Sequence, residues 1–124
     1  MPGEAKVSSG ADCSGFVNLV FRVNGIELPR DASDQKFKSQ AINVDELRPA
    51  DLVFLSARDD FNRIVHVMLY LSGEEMIESP DTGNKVRIIS FKEKMGMDMA
   101  QLKENGFIAG NRKVWFGRVS ARGI

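Results

Sequence analysis

The sequence of 124 residues contains a single cysteine and a single histidine. One cysteine cannot form a disulfide within the chain, so the redox compartment cannot be inferred and the thiol is available for other chemistry. One Cys and one His are too few strong ligands for a closed zinc site, and we expect neither a metal nor another cofactor. A thiol and an imidazole are, however, the minimal set for a cysteine nucleophile with a general base.

An excess of charge is also missing, because Lys+Arg and Asp+Glu both number 17. A neutral chain has no electrostatic reason to bind nucleic acid or an anionic membrane surface, and a small or peptidic partner is the easier expectation. No apolar run approaches the ~20 residues of a membrane-spanning helix. Residues 1–6 lack the apolar segment of a signal peptide, so export is not encoded in this segment, which can belong to a longer product.

The length and the 43% hydrophobic content fit one compact domain over residues 1–124. Small polar residues over 1–11 predict a loop or a frayed start. Helices are predicted at about 13–25, with Gly25 as the C-cap, and at about 32–40. The elements predicted after them are strands at 52–55, 64–71, 75–80, 86–89 and 113–119, and a mostly solvated helix over 91–104 interrupted by Gly96. Helices followed by strands are typical of an α+β fold.

The cysteine lies at the predicted start of the first helix, where residues 12–17 read DCSGFV. Unsatisfied backbone N–H groups and the positive end of the helix dipole favour a thiolate at that position. Asp12 is the predicted N-cap, and Gly15 leaves room for the close approach of a ligand or another backbone. A lone cysteine is more often a small buried hydrophobe, so this context is what favours Cys13 as a nucleophile.

The histidine lies inside the apolar run 64–71. An imidazole on such a strand is ordinarily a satisfied core residue, but its burial is unfavourable unless both nitrogens have partners. A hairpin with the three-residue loop 72–74 would pair position 68 with 78 and place Glu78 on the same face as His66. A two-residue loop would put the two side chains on opposite faces. We therefore expect Cys13 and Glu78 as the partners of His66, with Asp81 as the reserve carboxylate.

Several segments together resemble the NlpC-type cell-wall peptidases in order and spacing. They are residues 12–17 (DCSGFV), 28–31 (LPRD), 47–54 (LRPADLVF), and His66-Val67 with Tyr70-Leu71. The resemblance covers about residues 10–119. It implies a papain-like α+β fold, in which N-terminal helices pack on an antiparallel sheet, and a cysteine peptidase that cuts peptidoglycan stem peptides, typically after γ-linked D-glutamate.

The resemblance also implies residue roles: Cys13 is the nucleophile, His66 the base, and Glu78 the third residue that orients the imidazole. Asp12 and Ser14, which flank the nucleophile, are implied substrate contacts. The stretch 29–32 resembles the branch that cleaves L-Ala-γ-D-Glu-diamino acid peptides, which adds Arg30 to the substrate contacts. The implied partner is a peptidoglycan stem peptide, and the implied location is the cell envelope, the periplasm or the exterior, or the cytoplasm during recycling.

Three departures from the family pattern accompany this resemblance. Glu78 replaces the usual neutral third residue, and Ala50 stands where the family commonly has Gly. The family also has an aromatic-glycine loop with a Tyr upstream of the nucleophile, whereas 12 residues precede Cys13 here and the single tyrosine is Tyr70. The domain is therefore expected to be N-terminally shortened, with further sequence or domains upstream.

Two alternatives follow from these residues. The shortened N-terminus favours a catalytically weakened module that binds cell-wall peptide or a protein partner. The order Cys, His, carboxylate also occurs in enzymes that transfer an acyl group to an amine, as in transglutaminase-like folds, but no residue favours transfer over hydrolysis and this alternative ranks last.

Overall fold

The computed structural model describes residues 9–79, 86–99, 107–109 and 111–119, apart from the side chains of residues 9–12 and 107. The helices in these ranges are α1 (Ser9–Val23), α2 (Ala32–Lys38) and α3 (Phe91–Met95), and a short 3-10 helix covers Val44–Glu46. The strands are β1 (Gln40–Ala41), β2 (Leu52–Ser56), β3 (Ile64–Ser72), β4 (Glu75–Glu78), β5 (Arg87–Ser90), β6 (Phe107–Ala109) and β7 (Arg112–Arg118).

The described strands form one antiparallel sheet in the order β1-β7-β2-β3-β4-β5, with β6 also paired to β7. All five residues of β2 are buried, as expected for a central strand between β7 and β3. The predicted α+β fold is confirmed. Within the described residues no helix has the length and apolar character needed to cross a membrane.

The two faces of the sheet carry separate apolar clusters. On one face, residues of α1 pack against alternate residues of β2 and β3, a group that includes Cys13, Val17, Phe21, Leu52, Phe54, Val67 and Leu69. On the other face lie Val53, Leu55, Met68, Met76, Phe91, Met99 and Phe116. The predicted solvated helix over 91–104 is wrong in this respect, because Phe91 is fully buried and the helix already ends at Met95 before Gly96, whose φ is 81°. Residues 100–104 are outside the described residues.

The first helix begins earlier than predicted. It starts at Ser9, so residues 9–11 are helical rather than a loop, Asp12 is not the N-cap, and Cys13 lies in the second turn. No proline interrupts residues 9–12, and the alanine among them is a strong helix former, so the helix continues upstream of the aspartate.

The predicted end of α1 is confirmed. Gly25 has a φ of 81°, its N–H donates to the Arg22 carbonyl at 3.0 Å, and the Ile26 N–H donates to the Phe21 carbonyl at 2.9 Å. These two bonds form a Schellman motif, which requires the left-handed conformation that glycine adopts easily.

The hairpin between β3 and β4 differs from the prediction in its loop. Ser72 pairs with Glu75 across a two-residue turn, not the predicted three-residue loop, yet Leu69 pairs with Ile77. Leu71 is the extra residue of a β-bulge, and one extra residue reverses the effect of the shorter loop on the register. The register that pairs position 68 with 78 therefore persists, and the expectation that a two-residue loop would separate His66 from Glu78 is wrong.

Candidate active site

His66 and Glu78 meet on one face of the β3–β4 hairpin. The imidazole Nε2 lies 2.7 Å from Oε1 of Glu78, and the two residues are 5% and 0% exposed. Both belong to the face that carries Met68 and Met76, since residues two apart in a strand point to the same side. The structure thus brings together two of the three residues predicted to be catalytic.

Glu78 is surrounded by cationic groups besides the imidazole. Lys94, on α3, places Nζ 2.9 Å from Oε1, and Arg87, opposite Glu78 on β5, places Nη2 2.7 Å from Oε2. Burial alone would raise the pKa of Glu78, but the hydrogen bonds from His66, Lys94 and Arg87 outweigh it and hold the pKa well below its usual range. Glu78 is therefore a buried carboxylate that stays ionised at neutral pH.

An ionised Glu78 determines which nitrogen of the neutral imidazole carries the proton. A carboxylate can only accept hydrogen bonds, so Nε2 of His66 donates to it. The other nitrogen, Nδ1, is then the basic one in neutral His66. This arrangement suits an imidazole that accepts a proton at Nδ1 while Glu78 holds its orientation.

Cys13 reaches β3 from the helix side. Its side chain is fully buried, and its Sγ donates to the carbonyl oxygen of Val65 at 3.9 Å. Val65 is the residue immediately before His66, so α1 brings the thiol to the backbone beside the predicted base. Val67 and Leu69 belong to the same apolar cluster as Cys13 on this face.

A second β-bulge lies at this contact. Leu55 pairs with His66 but Ser56 pairs with Ile64, so Val65 is the extra residue of β3. Bulges bend a strand locally and are frequent next to active sites, where they redirect a side chain. The sequence carried no signal for this bulge, because a β-branched valine is ordinary in a regular strand.

Thiol and imidazole approach the start of β3 from its two faces. Cys13 belongs to the cluster beneath α1, whereas His66 lies on the face of Leu55, its partner on β2. Proton transfer between them requires the two groups to meet around the bulged end of the strand, at Val65.

Arg30 contacts the segment that follows Cys13. Its Nη1 donates to Oγ of Ser14 at 3.4 Å, and its guanidinium lies over Gly15, where a Cβ would be 2.8 Å from Nη2. The room that Gly15 leaves is thus taken by an arginine side chain. Two predicted substrate contacts, Ser14 and Arg30, lie together, with Ser14 buried and Arg30 exposed.

Gln35, which was not among the predicted site residues, also supports this segment. The side chain is fully buried, and its Nε2 donates to the carbonyls of Ser14 at 3.0 Å and Pro29 at 2.8 Å. Gln35 therefore joins α2 to α1 and to the loop that carries Arg30. The sequence signal was its position three residues after Ala32 in a predicted helix, since residues three apart share a helix face and the structure buries both.

Two predicted site residues cannot be placed. The side chain of Asp12 is not among those described, and Asp81, the reserve carboxylate, lies outside the described residues.

The fold and this geometry define a class: α+β domains in which a helix-borne thiol and a strand-borne imidazole with its carboxylate lie at one end of an antiparallel sheet. Comparison with protein families matches residues 3–102 to the NlpC/P60 family. The chain belongs to the NlpC/P60 family, as the sequence resemblance predicted.

Individual relatives agree with this assignment. Gamma-D-glutamyl-L-lysine dipeptidyl-peptidase of Bacillus subtilis is 38% identical over 84 residues, which are 68% of this chain and 28% of that protein. A crystal structure of an NlpC/P60 family protein from Bacillus cereus is similar with a TM-score of 0.59 and 33% identity, over 64% of this chain and 26% of the other. The chain thus spans less than a third of the length of these two relatives.

The fold alone is also similar to a more distant structure. RipD from Mycobacterium tuberculosis, described as a non-catalytic NlpC/p60 domain protein adapted to peptidoglycan binding, has a TM-score of 0.61 at 20% identity. The similarity covers 88% of this chain and 67% of RipD. The same fold therefore occurs in a protein described as lacking catalysis.

Proposed function

We propose that this domain is a cysteine peptidase that cleaves peptidoglycan stem peptides. The observation that carries the proposal is the buried 2.7 Å contact between His66 and an ionised Glu78, at the strand end that Cys13 contacts through Val65. Nucleophilic catalysis by cysteine requires a thiol, a base and a group that orients the base, and these three groups lie at one end of β3.

In the proposed reaction the Cys13 thiol gives its proton to Nδ1 of His66, and the sulfur forms a bond to the peptide carbonyl carbon. The tetrahedral intermediate collapses when His66 returns the proton to the leaving nitrogen, which breaks the C–N bond and leaves a thioester. Water, deprotonated by His66, then hydrolyses the thioester. Glu78 orients the imidazole throughout and stabilises its cationic form.

The proposed substrates are L-Ala-γ-D-Glu-diamino acid peptides, cut after the γ-linked D-glutamate. The similarity to a protein named gamma-D-glutamyl-L-lysine dipeptidyl-peptidase supports this choice. Ser14 and Arg30, which contact each other beside the nucleophile, are the proposed substrate contacts, together with Asp12. Such substrates place the protein at the cell envelope or in stem-peptide recycling.

The test is hydrolysis of L-Ala-γ-D-Glu-diaminopimelate by the purified chain, followed by chromatographic detection of L-Ala-D-Glu. We expect release by the wild type and a loss of at least about 1,000-fold in kcat for Cys13→Ser and for His66→Gln. The matched control is Ser33→Ala, which changes an exposed residue of α2 and should retain full activity. Retention of activity by Cys13→Ser would contradict the mechanism, and inactivity of the wild type would contradict the peptidase proposal.

A second candidate function is a module that binds cell-wall peptide without cleaving it. The full burial of Cys13 in the second turn of α1, with its thiol donating to a main-chain carbonyl, favours this alternative. Thiol alkylation by iodoacetamide as a function of pH separates the two functions. A thiol pKa near the ordinary value of about 8.5 would favour the binding module, whereas a depressed pKa would favour the peptidase.

A further inference from the structure

A cavity of about 370 Å³ opens beside His66. The residues that line it come from the loop after β2, the start of β3, α3 and β7; they are Ala57, Arg58, Asp59, Arg63, Val65, His66, Lys94 and Arg112. Its volume lies in the range of small-molecule sites and is sufficient for one amino acid residue of a peptide.

The lining of this cavity is strongly cationic. Four of its side chains carry a positive charge, namely Arg58, Arg63, Lys94 and Arg112, of which Lys94 already pairs with Glu78 at 2.9 Å. The single acidic residue of the lining is Asp59. The whole chain has 17 residues of each sign, so the excess is local. A concave surface lined by one sign of charge concentrates the field and attracts a ligand of the opposite sign.

The one carboxylate in the lining neutralises little of this charge. Asp59 pairs with Arg63 at 3.2 Å, but the two side chains are 81% and 57% exposed. An exposed pair of this kind is weak, so Arg63 can exchange Asp59 for a ligand anion at small cost. Arginine suits a carboxylate in particular, because its planar guanidinium donates two parallel hydrogen bonds to the two oxygens.

The position of the cavity relates it to one side of the scissile bond. In the proposed reaction His66 returns its proton to the leaving nitrogen, so the residue that carries this nitrogen must lie against the imidazole. His66 is part of the cavity lining. The cavity is consequently placed to receive the leaving residue rather than the glutamyl residue that acylates Cys13.

We propose that this cavity is a subsite for a carboxylate on the leaving amino acid, with Arg58 and Arg63 as its principal ligands. The inference rests on the proposed peptidase function and adds a substrate preference to it. The carboxylate can be the α-carboxylate of a leaving residue at the end of the peptide, or the side-chain carboxylate of a diamino dicarboxylic acid. Both sources present the same anion to the arginines.

The experiment measures peptide binding to the full chain with Cys13→Ala, which prevents turnover, by titration calorimetry. One pair of ligands is L-Ala-γ-D-Glu-L-Lys with a free or an amidated α-carboxylate. The other pair is L-Ala-γ-D-Glu-diaminopimelate with a free or an amidated side-chain carboxylate. We expect the free acid to bind about 10-fold more tightly than the amide in at least one pair, and the pair that shows the difference identifies the source.

Two variants made in the Cys13→Ala background test the residues. Arg58→Gln with Arg63→Gln should reduce the preference for the acid to less than about 2-fold, whereas Arg22→Gln, a change of an exposed arginine of α1, should leave it intact. Equal affinities for acid and amide in both pairs, no measurable binding of any peptide, or a preference that survives the double change would each overturn the subsite.

Failure of the subsite can be distinguished from failure of the peptidase. If wild-type protein releases L-Ala-D-Glu from acid and amide peptides with equal kcat/KM, the subsite is wrong and the peptidase stands. If the acid peptides bind preferentially but the wild type releases no product, the peptidase proposal is wrong, and the cavity still binds the carboxylate.

Discussion

The two halves of the candidate site lie at the same end of β3, but they are held in place by different interactions. On the sheet side, His66 and Glu78 form an ionic cluster with Lys94 and Arg87. On the helix side, Cys13 is held by apolar packing and by a contact to a main-chain carbonyl. The proposed base is thus positioned by charge and the proposed nucleophile by burial, so pH and salt should act on the sheet side and core substitutions on the helix side.

Removal of the central carboxylate should have the largest effect. Glu78→Ala leaves three cationic or donor groups around an empty buried position, and we expect the free energy of unfolding to fall by about 3–5 kcal/mol, measured by urea denaturation at pH 7. The control is Glu75→Ala on the same strand, where the glutamate is exposed and the change should be within about 0.5 kcal/mol. A loss below about 1 kcal/mol for Glu78→Ala would show that the cluster contributes little.

Acid should destabilise the sheet side specifically, because protonation of Glu78 removes the charge that its ion pairs need. The folded-state pKa of Glu78 is depressed below the ordinary value of 4.5, so its contribution to stability is complete above that value and is lost as the pH falls through the folded pKa. We expect the wild-type free energy of unfolding to decline progressively below about pH 4.5 and the decline to be smaller in Glu78→Gln. Identical pH profiles for the two proteins, followed by denaturation from pH 7 to pH 3, would contradict this assignment.

On the helix side, the loss of Gln35 should lower the stability of the protein. Gln35→Ala removes a buried hydrogen bond to the Ser14 carbonyl and a partly buried one to the Pro29 carbonyl, and we expect a loss of about 2 kcal/mol in the free energy of unfolding. This loss should be independent of pH between 7 and 4, unlike that of the Glu78 variants. Gln40→Ala, at an exposed position of β1, is the control and should change stability little. A pH-dependent effect at Gln35 would show that the two halves are coupled.

A substitution outside both sides of the site should change stability and leave activity unchanged. Ala50 has a φ of 78°, a conformation that is strained for alanine and favourable for glycine. We expect Ala50→Gly to raise the free energy of unfolding by about 1 kcal/mol while kcat and KM stay unchanged. Ala41→Gly, in β1, should instead lose about 0.5 kcal/mol or more, because the extended backbone there has no positive φ that glycine would relieve. Equal effects at the two positions would refute the strain at Ala50.

The smallest change in stability is expected at Gly15. A Cβ there would lie 2.8 Å from the Arg30 guanidinium, so Gly15→Ala should displace that group from Ser14, while the gain of about 1 kcal/mol in helix propensity offsets the lost contact. We expect KM for the stem peptide to rise about 3- to 10-fold at nearly constant kcat, as uniform binding is lost. Arg30→Gln should raise KM similarly, and combining the two changes should add little. Additive effects would mean that Gly15 does not act through Arg30.

The sequence predicted the longer elements of the fold better than the shorter ones. The apolar runs of β2 and β3 and the glycine end of α1 were visible because periodicity and capping are local properties. The strands β1 and β6 have two and three residues, too few to show any period, and they form only because β7 offers them a partner. Phe91 and Met99 are buried because they pack against sheet residues that are distant in sequence. The pattern of residues 91–104 alone does not reveal this packing.

The site was predictable to the extent that it follows from strand parity. His66 and Glu78 were predicted to share one face, and the structure places Nε2 of His66 2.7 Å from Oε1 of Glu78. The hairpin loop that gives this register differs from the predicted one. The cationic groups around Glu78 could not be anticipated, because Arg87 and Lys94 arrive from β5 and α3, whose positions depend on the whole sheet. The predicted start of α1 was wrong because Asp12, a good capping residue, also fits the interior of a helix that begins at Ser9.

The bulge at Leu71 has a consequence for insertions and deletions in related genes. Ser72 faces Glu75 and Tyr70 faces Met76, so loss of the codon for Leu71 would leave both pairs opposite each other and convert the hairpin into a regular two-residue one. Loss of a codon between His66 and Tyr70 would instead turn His66 to the other face of the sheet relative to Glu78. Length variation in this hairpin should therefore be tolerated at position 71 and be selected against in the residues just before it.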